Sequence, residues 1–329
     1  MDVAMWGQAL RVIPQVDREQ WQKLDVVARW LIAARSAVFV ITAIAVGVAG
    51  LLALRDGVFN AGLFGLVAVG LIMAHATNNI VNDMTDWWKG VDRGNYFRAQ
   101  YGPQPLEHGL MSVKQMALYA GFSAVVALAA GVALVLLRGG LTLPLLAAGA
   151  FFVLFYTWPL KYIGLGELAV LVVWGPLMIG GGYYVLSGVW SWGVVLASLP
   201  YALGATAVIF GKHIDKRPAD REKGIRTLPV LLGDTASRYG AIAMMVAQYG
   251  LVVYLVATGF FTPALLIVAL ALPKLLSVSK IFAQPKPDAP PAEYADGWPL
   301  WFVSWAFVHN RAFGGLFLLG LLADVVLQM

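Results

Sequence analysis

Long stretches without a charged side chain dominate this chain. Ser36 to Leu54 runs 19 residues, Gln115 to Leu137 runs 23 and Gly139 to Leu160 runs 22. Leu168 to Gly211 runs 44, enough for two crossings, and Tyr239 to Pro273 runs 35. About 20 apolar residues carry a helix across a bilayer, where each backbone polar group must find its partner within the segment. A membrane barrel would show ten-residue alternation instead, and the sequence has none. Only 12% of the residues are charged, against roughly a quarter in a soluble domain. The pattern predicts an all-α membrane protein.

The runs place nine helices at about 36–54, 58–81, 115–137, 141–160, 167–187, 191–211, 239–258, 262–280 and 305–327. They are expected to surround a central cavity, with cytoplasmic helical cap loops. With the N-terminus inside, 21 of the 23 Lys and Arg residues fall on the cytoplasmic side, Arg98 among them; Arg55 and Arg138 remain outside. The positive-inside rule therefore orients the chain, in a cell (inner) membrane, with its N-terminus and its active-site loops cytoplasmic. Its excess positive charge is topological, and no nucleic-acid motif accompanies it. Residues 1–35 read as an N-terminal interfacial segment, preceding a membrane domain over 36–329. Leu24, Val27, Ala28 and Leu31 form a helical stripe, so residues 15–34 are expected to form one amphipathic helix on the bilayer. No cleavable signal is visible.

Six polar residues of the second crossing are His75, Asn78, Asn79, Asn82, Asp83 and Asp86. Gaps of three and four put them on one helix face. Polar groups in a membrane helix are costly unless they meet partners, ions or water. A single Asn glues helices; a stripe with paired carboxylates fits a hard cation, and this spacing of oxygen ligands suits Mg²⁺.

A second acidic segment, Lys212 to Leu228, follows the sixth crossing. Asp86 precedes Gly90 by four residues, and Asp220 precedes Gly224 by four. Two carboxylate clusters on one membrane face repel unless cations lie between them. Magnesium is usually held by a few carboxylates plus substrate phosphate. A diphosphate bridged by Mg²⁺ and flanked by Lys and Arg is thus the natural guest, and the bilayer points to a hydrocarbon chain on it. Gly90, Gly94 and Gly224 would allow the loops to turn and close over it.

At these residues the chain resembles the UbiA superfamily of intramembrane prenyltransferases. Asn82-Asp83-x-x-Asp86 is similar to that family's first motif. Its extension to Gly90-x-Asp92 resembles the menaquinone branch, which prenylates 1,4-dihydroxy-2-naphthoate. Tyr156-Thr157-x-Pro159-Leu-Lys161, Gly164-Leu-Gly166-Glu167, Gly175-Pro-Leu and Tyr183-Tyr184 continue the likeness, and Gly224-Ile-Arg-Thr227-Leu closes the second motif as that branch does. One departure stands out: Asp215 and Asp220 are five apart, where the family has Asp-x-x-x-Asp. Five residues along a helix turn a side chain by about 140°, and Pro218 is expected to re-aim the chain.

The resemblance implies an Mg²⁺-dependent transferase acting on a prenyl diphosphate and an aromatic or other small acceptor. Asp83, Asp86, Asp215, Asp220 and Asn82 would hold the metal. Lys161, Lys212, Arg226, Arg93, Asn79 and Asn82 would bind the donor. Tyr156 fits either a ring facing the developing cation or an interfacial anchor. Glu167 fits an acceptor-side base or a partner of Lys161, and His75 a packing residue or an acceptor contact. Two alternatives stay open: a UbiA-like cyclase or transfer to a non-aromatic acceptor, and a secondary transporter, whose charges more often lie at the midplane of broken helices.

Overall fold

A computed structural model describes residues 2–94, 102–291 and 298–328; Arg98 lies outside them. No strand occurs among the described residues. Among the described residues, eight helices are long and apolar enough to cross a membrane: Ser36–Arg55, Ala61–Trp88, Val113–Arg138, Gly166–Ser187, Trp192–Glu222, Asp234–Ala257, Pro263–Phe282 and Trp301–Gln328. The ninth apolar helix, Thr142–Phe155, has 14 residues. It rises about 21 Å, short of the expected crossing, because the chain turns at 156–159 into a 3₁₀ segment, Leu160–Ile163.

The chain divides into two compact units. Residues 1–44 and 65–158 form the first. Here the expected single helix over 15–34 is instead two, Arg18–Lys23 and Val26–Ala33, preceded by Val3–Arg11. The interruption is chemical. Asp17 and Asp25 each accept a backbone N–H as N-caps, at Gln20 and Ala28, and a good N-cap starts a new helix rather than continuing an old one. Trp21, Leu24, Ala28, Leu31 and Ile32 are buried with Ile80, Met84 and Met116. Three members of the apolar stripe, Leu24, Ala28 and Leu31, therefore face protein, while Val27 is exposed. Gly70 lets its helix approach Ala130, and Gly131 makes room for Leu146, the small-residue packing that membrane helices use.

Residues 45–64 and 159–329 form the second unit. The Gly166–Ser187 span widens to a π-helix over Val173–Gly180, with Pro176 inside; proline lacks the N–H that an α-helical ladder requires. Gly175 packs against Ala202 and Ser198, and Gly320 against the backbone of Ala264 and Leu265. The Trp192–Glu222 helix runs through Pro218, so the second acidic segment begins as the end of a helix, not as a re-aimed loop.

Candidate functional site

The two acidic motifs share one local structure. Both close long helices. Gly90 and Gly224 both adopt φ +68°, a left-handed conformation that glycine enters without steric cost. The amide of Gly90 donates to the Trp87 carbonyl and that of Val91 to Asp86, at 3.0 and 2.8 Å. Gly224 donates to Arg221 and Ile225 to Asp220, at 3.1 and 2.8 Å. This is the Schellman arrangement at both sites, with aspartate at the same position in the final turn. Val91 and Ile225 are buried, supplying the apolar contact that accompanies such caps. Carboxylates there face the negative end of the helix macrodipole, a placement costing roughly 0.3–1 kcal/mol each. Cations beside the two helix ends offset this cost, as Lys216 does for Asp220.

In the first unit, Arg35 organises the motif. It is the one described non-glycine residue with positive φ, 53°. Its guanidinium Nη2 reaches the Asn79 carbonyl at 3.0 Å, Asn82 Oδ1 at 3.2 Å and Asp83 Oδ1 at 2.9 Å. Asn82 Nδ2 donates to Thr157 Oγ1 at 2.8 Å, Asn79 Nδ2 to the Ala34 carbonyl and Asn78 Nδ2 to the Val153 carbonyl. Asp83, Asp86 and Asp92 are buried. Asn79 thus holds backbone, and Asn82 and Asp83 are positioned side by side. His75 pairs with Thr42 Oγ1 at 2.7 Å and lies against the Phe39 ring, a packing role. Tyr156 is half-buried and Arg93 exposed; Lys89 sits 5.0 Å from the Trp158 ring centre. Sequence reading treated Arg35 as a topological charge; its place before the stripe gave no periodic signal.

In the second unit, Asp220 is buried with Lys216 Nζ 3.5 Å away. Asp215, expected among the metal ligands, is engaged with the start of the last helix. Its Oδ1 accepts Phe302 N at 3.1 Å and its Oδ2 accepts Val303 N at 3.0 Å. Lys286 Nζ adds an ion pair at 3.3 Å; burial lowers the Lys286 pKa, and Asp215 opposes that shift. The carboxylate thus holds the start of Trp301–Gln328, where unpaired N–H groups and the positive dipole end favour an anion. Gly211 makes this approach possible, since a Cβ there would lie 2.9 Å from the Phe302 backbone. The spacing of five that separates Asp215 from Asp220 is what aims Asp215 at another helix.

Glu167 partners His213 rather than Lys161. His213 Nδ1 lies 2.5 Å from Glu167 Oε1, and Leu228 N donates to both carboxylate oxygens at 3.2 and 3.3 Å. The Gly164–Gly166 turn brings these segments together: Gly164 has φ +80°, with Leu231 and the Arg226 carbonyl where a side chain would go, and Gly166 lies on the Lys161 backbone. Lys161 is buried, with Nζ 5.9 Å from the Tyr162 ring centre. Lys212 is half-buried and Arg226 exposed.

No group of three or more His, Cys, Asp or Glu side chains converges among the described residues. The donor set nonetheless suits magnesium on chemical grounds. It is all oxygen, few in number and sited at dipole ends that need positive charge, so phosphate oxygens and water would complete the coordination.

Comparison with known proteins agrees with the sequence reading. The model of the UbiA prenyltransferase family matches residues 39–310. The 1,4-dihydroxy-2-naphthoate octaprenyltransferase of Escherichia coli K12 is 29% identical over 241 residues, 68% of this chain and 75% of that protein. A UbiA prenyltransferase domain-containing protein 1 homologue of Drosophila melanogaster is 27% identical over 201 residues, and the match spans 59% of this chain but only 54% of the fly protein. Among solved structures, an apo UbiA homologue from Aeropyrum pernix K1 aligns with TM-score 0.63 at 22% identity, covering 86% of this chain and 97% of that one. A UbiA homologue from Archaeoglobus fulgidus bound to GPP and Mg²⁺ aligns at TM-score 0.51 and 14% identity, over 85% and 97%. With the family model spanning both acidic motifs, this multi-pass membrane chain belongs to the UbiA prenyltransferase family.

Proposed function

We propose that the protein transfers a prenyl group from an allylic prenyl diphosphate to an aromatic, quinone-precursor acceptor within the membrane. The observation that carries this reading is the repeated helix end, an aspartate in the last turn of each of two Schellman-capped helices. Both aspartates sit where the backbone field favours positive charge, as Mg²⁺ on a diphosphate would provide. The Escherichia coli relative is named for prenyl transfer to the naphthoate, and the Archaeoglobus homologue was solved with GPP and Mg²⁺; both support the assignment.

Asn82, Asp83 and Asp86 on one helix, and Asp220 on the other, would hold Mg²⁺. The bound metal neutralises charge on the departing diphosphate. Arg35 fixes Asp83 and Asn82 in register, so little reorganisation is needed when the charge develops. Lys161, Lys212, Arg226 and Arg93 supply cationic donors to the diphosphate. The allylic C–O bond breaks with its electron pair leaving on oxygen. A ring carbon of the acceptor then forms the C–C bond, and aromaticity returns when that carbon loses its proton to water or, where it bears a carboxylate, loses CO₂. Tyr156 offers its ring face to the allylic cation. Asp215 is left out of the metal set because both its oxygens are held. The bilayer supplies the apolar environment for the chain, with the motif ends and the N-terminus on the cytoplasmic side of the cell membrane.

The test is diphosphate release by the purified protein. Allylic diphosphates of several lengths are supplied with Mg²⁺ or EDTA, with and without 1,4-dihydroxy-2-naphthoate. Release requiring both metal and naphthoate is the expected result. Mg²⁺-dependent release that no aromatic acceptor stimulates would replace the aromatic reading with cyclisation or a non-aromatic acceptor.

A further inference from the structure

We infer that His213 is an acceptor-binding residue, whose Nε2 selects an acceptor bearing a ring hydroxyl. The inference rests on the prenyl-transfer reading and goes further by assigning the group that recognises the acceptor. Three observations carry it, all within the second unit.

The first is tautomer control. An ionised carboxylate only accepts hydrogen bonds. Glu167 accepts from the Leu228 amide and lies 2.5 Å from His213 Nδ1. The ring proton therefore resides on Nδ1, and in the neutral imidazole Nε2 presents a lone pair. The second is an acceptor without a protein partner. The His213 side chain is 6% exposed, and its one hydrogen bond among the described residues is made by Nδ1. A ligand hydroxyl that meets Nε2 would give it a partner. Beside it in the chain fold, Thr227 is fully buried and its Oγ1 also lacks a partner among the described residues. Thr227 directly precedes Leu228, whose amide is on the Glu167 carboxylate. Two unpartnered polar groups thus flank one held carboxylate.

Position is the third. His213 precedes Asp220 by seven residues on a continuous helix. Seven residues are two turns, so both lie on one face, about 10 Å apart along the axis. Asp220 is at the polar end, where the diphosphate is proposed to sit, and His213 is deeper. A ligand hydroxyl at His213 would place an aromatic ring on the membrane side of the leaving group, which the acceptor must occupy to meet the allylic carbon. Glu167 acts as a positioning residue through His213.

The experiment compares wild type, His213→Phe, His213→Asn and Glu167→Gln, each full-length in detergent with geranyl diphosphate and Mg²⁺. Steady-state constants are measured for 1,4-dihydroxy-2-naphthoate and for its 1- and 4-monomethyl ethers, with the KM for the donor and the acceptor-free diphosphate release recorded alongside. Loss of one hydrogen bond predicts about a tenfold rise in naphthoate KM in His213→Phe, equivalent to about 1.4 kcal/mol. Donor KM and acceptor-free release should stay at wild-type values. Wild type should discriminate against one of the two ethers, and His213→Phe should lose that preference. Glu167→Gln should raise naphthoate KM by a smaller factor, and His213→Asn should partly restore it. An unchanged naphthoate KM in His213→Phe overturns the inference while the transferase reading stands. An equal rise in donor and acceptor KM also overturns it, because a purely structural pair would act on both. Wild type that cleaves the donor without response to any hydroxylated ring removes the aromatic reading, and the His213 assignment falls with it.

Discussion

Replacing Asp215 with alanine separates an anchor from a metal ligand. The substitution leaves the Phe302 and Val303 amides without acceptors and removes the carboxylate from Lys286, which keeps the Pro299 carbonyl and the Trp298 ring. Each buried donor left unsatisfied costs about 1–3 kcal/mol. Water reaching Lys286 and the helix end reduces the sum, and screening makes the ion pair itself a small part of it. A net loss of about 3 kcal/mol is expected, which at roughly 2 °C per kcal/mol for a large chain lowers the melting temperature by about 6 °C. Intrinsic fluorescence reads the melt directly, since the chain carries 12 tryptophans and no cysteine for thiol-reactive dyes. Asp215→Asn, which keeps one acceptor, should fall by about half as much. The Mg²⁺ concentration for half-maximal activity should not change in either variant. An unchanged melting temperature together with a raised Mg²⁺ requirement would refute the anchor and restore Asp215 to the metal set.

Further outcomes follow from the same geometry. Asp83→Ala and Asp86→Ala should abolish turnover and leave a folded, detergent-stable protein; wild-type activity in either would remove the first motif from the metal site. Arg35→Ala should cut turnover at least about tenfold, because Asp83 and Asn82 lose the group that fixes them, and an unaltered rate would show that Arg35 serves topology alone. Gly224→Ala should destabilise by about 1–2 kcal/mol from the left-handed backbone alone, since open space surrounds the added methyl; a thermal melt indistinguishable from wild type would contradict the cap. Asp25 accepts from the Ala28 and Asp2 amides and from Trp6, which lowers its pKa to about 2. A depressed carboxylate contributes above its ordinary titration range and loses that contribution as pH falls through about 2. Docking of the Val3–Arg11 helix should therefore be constant from neutral pH down to mildly acidic pH and be released by Asp25→Ala, measured by trypsin cleavage after Arg11; acid-induced release at mildly acidic pH would contradict this.

Much of the architecture was legible because the bilayer leaves few options. Charge-free runs of helix-spanning length located most of the crossings, though the last one carries Arg311, and the 75–86 stripe appeared because polar residues are rare in such helices. The equal Asp-to-Gly spacing at 86–90 and 220–224 was visible as a repeat, and the structure supplies its meaning as a pair of Schellman caps. What escaped was decided by tertiary contact. Asp215 reads as part of an acidic cluster, yet its rotation around the helix points it to an amide 87 residues away. Glu167 and His213 are 46 residues apart, and no local pattern joins them. Arg35 acts across a similar gap, from a left-handed residue that sequence periodicity does not mark. The single helix expected over 15–34 failed for a local reason: the capping strength of Asp25 was underweighted against the apolar stripe.

The most direct test of the account is product formation by purified protein in lipid nanodiscs. Geranylgeranyl diphosphate, 1,4-dihydroxy-2-naphthoate and Mg²⁺ are incubated with wild type, Asp86→Ala and Asp220→Ala, and the products are read by mass spectrometry. The account predicts a prenylated naphthalene product from wild type, none with EDTA and none from either variant. Undiminished product from Asp86→Ala or Asp220→Ala, or its persistence in EDTA, would contradict the claim that the two capped helix ends hold the metal-bound diphosphate.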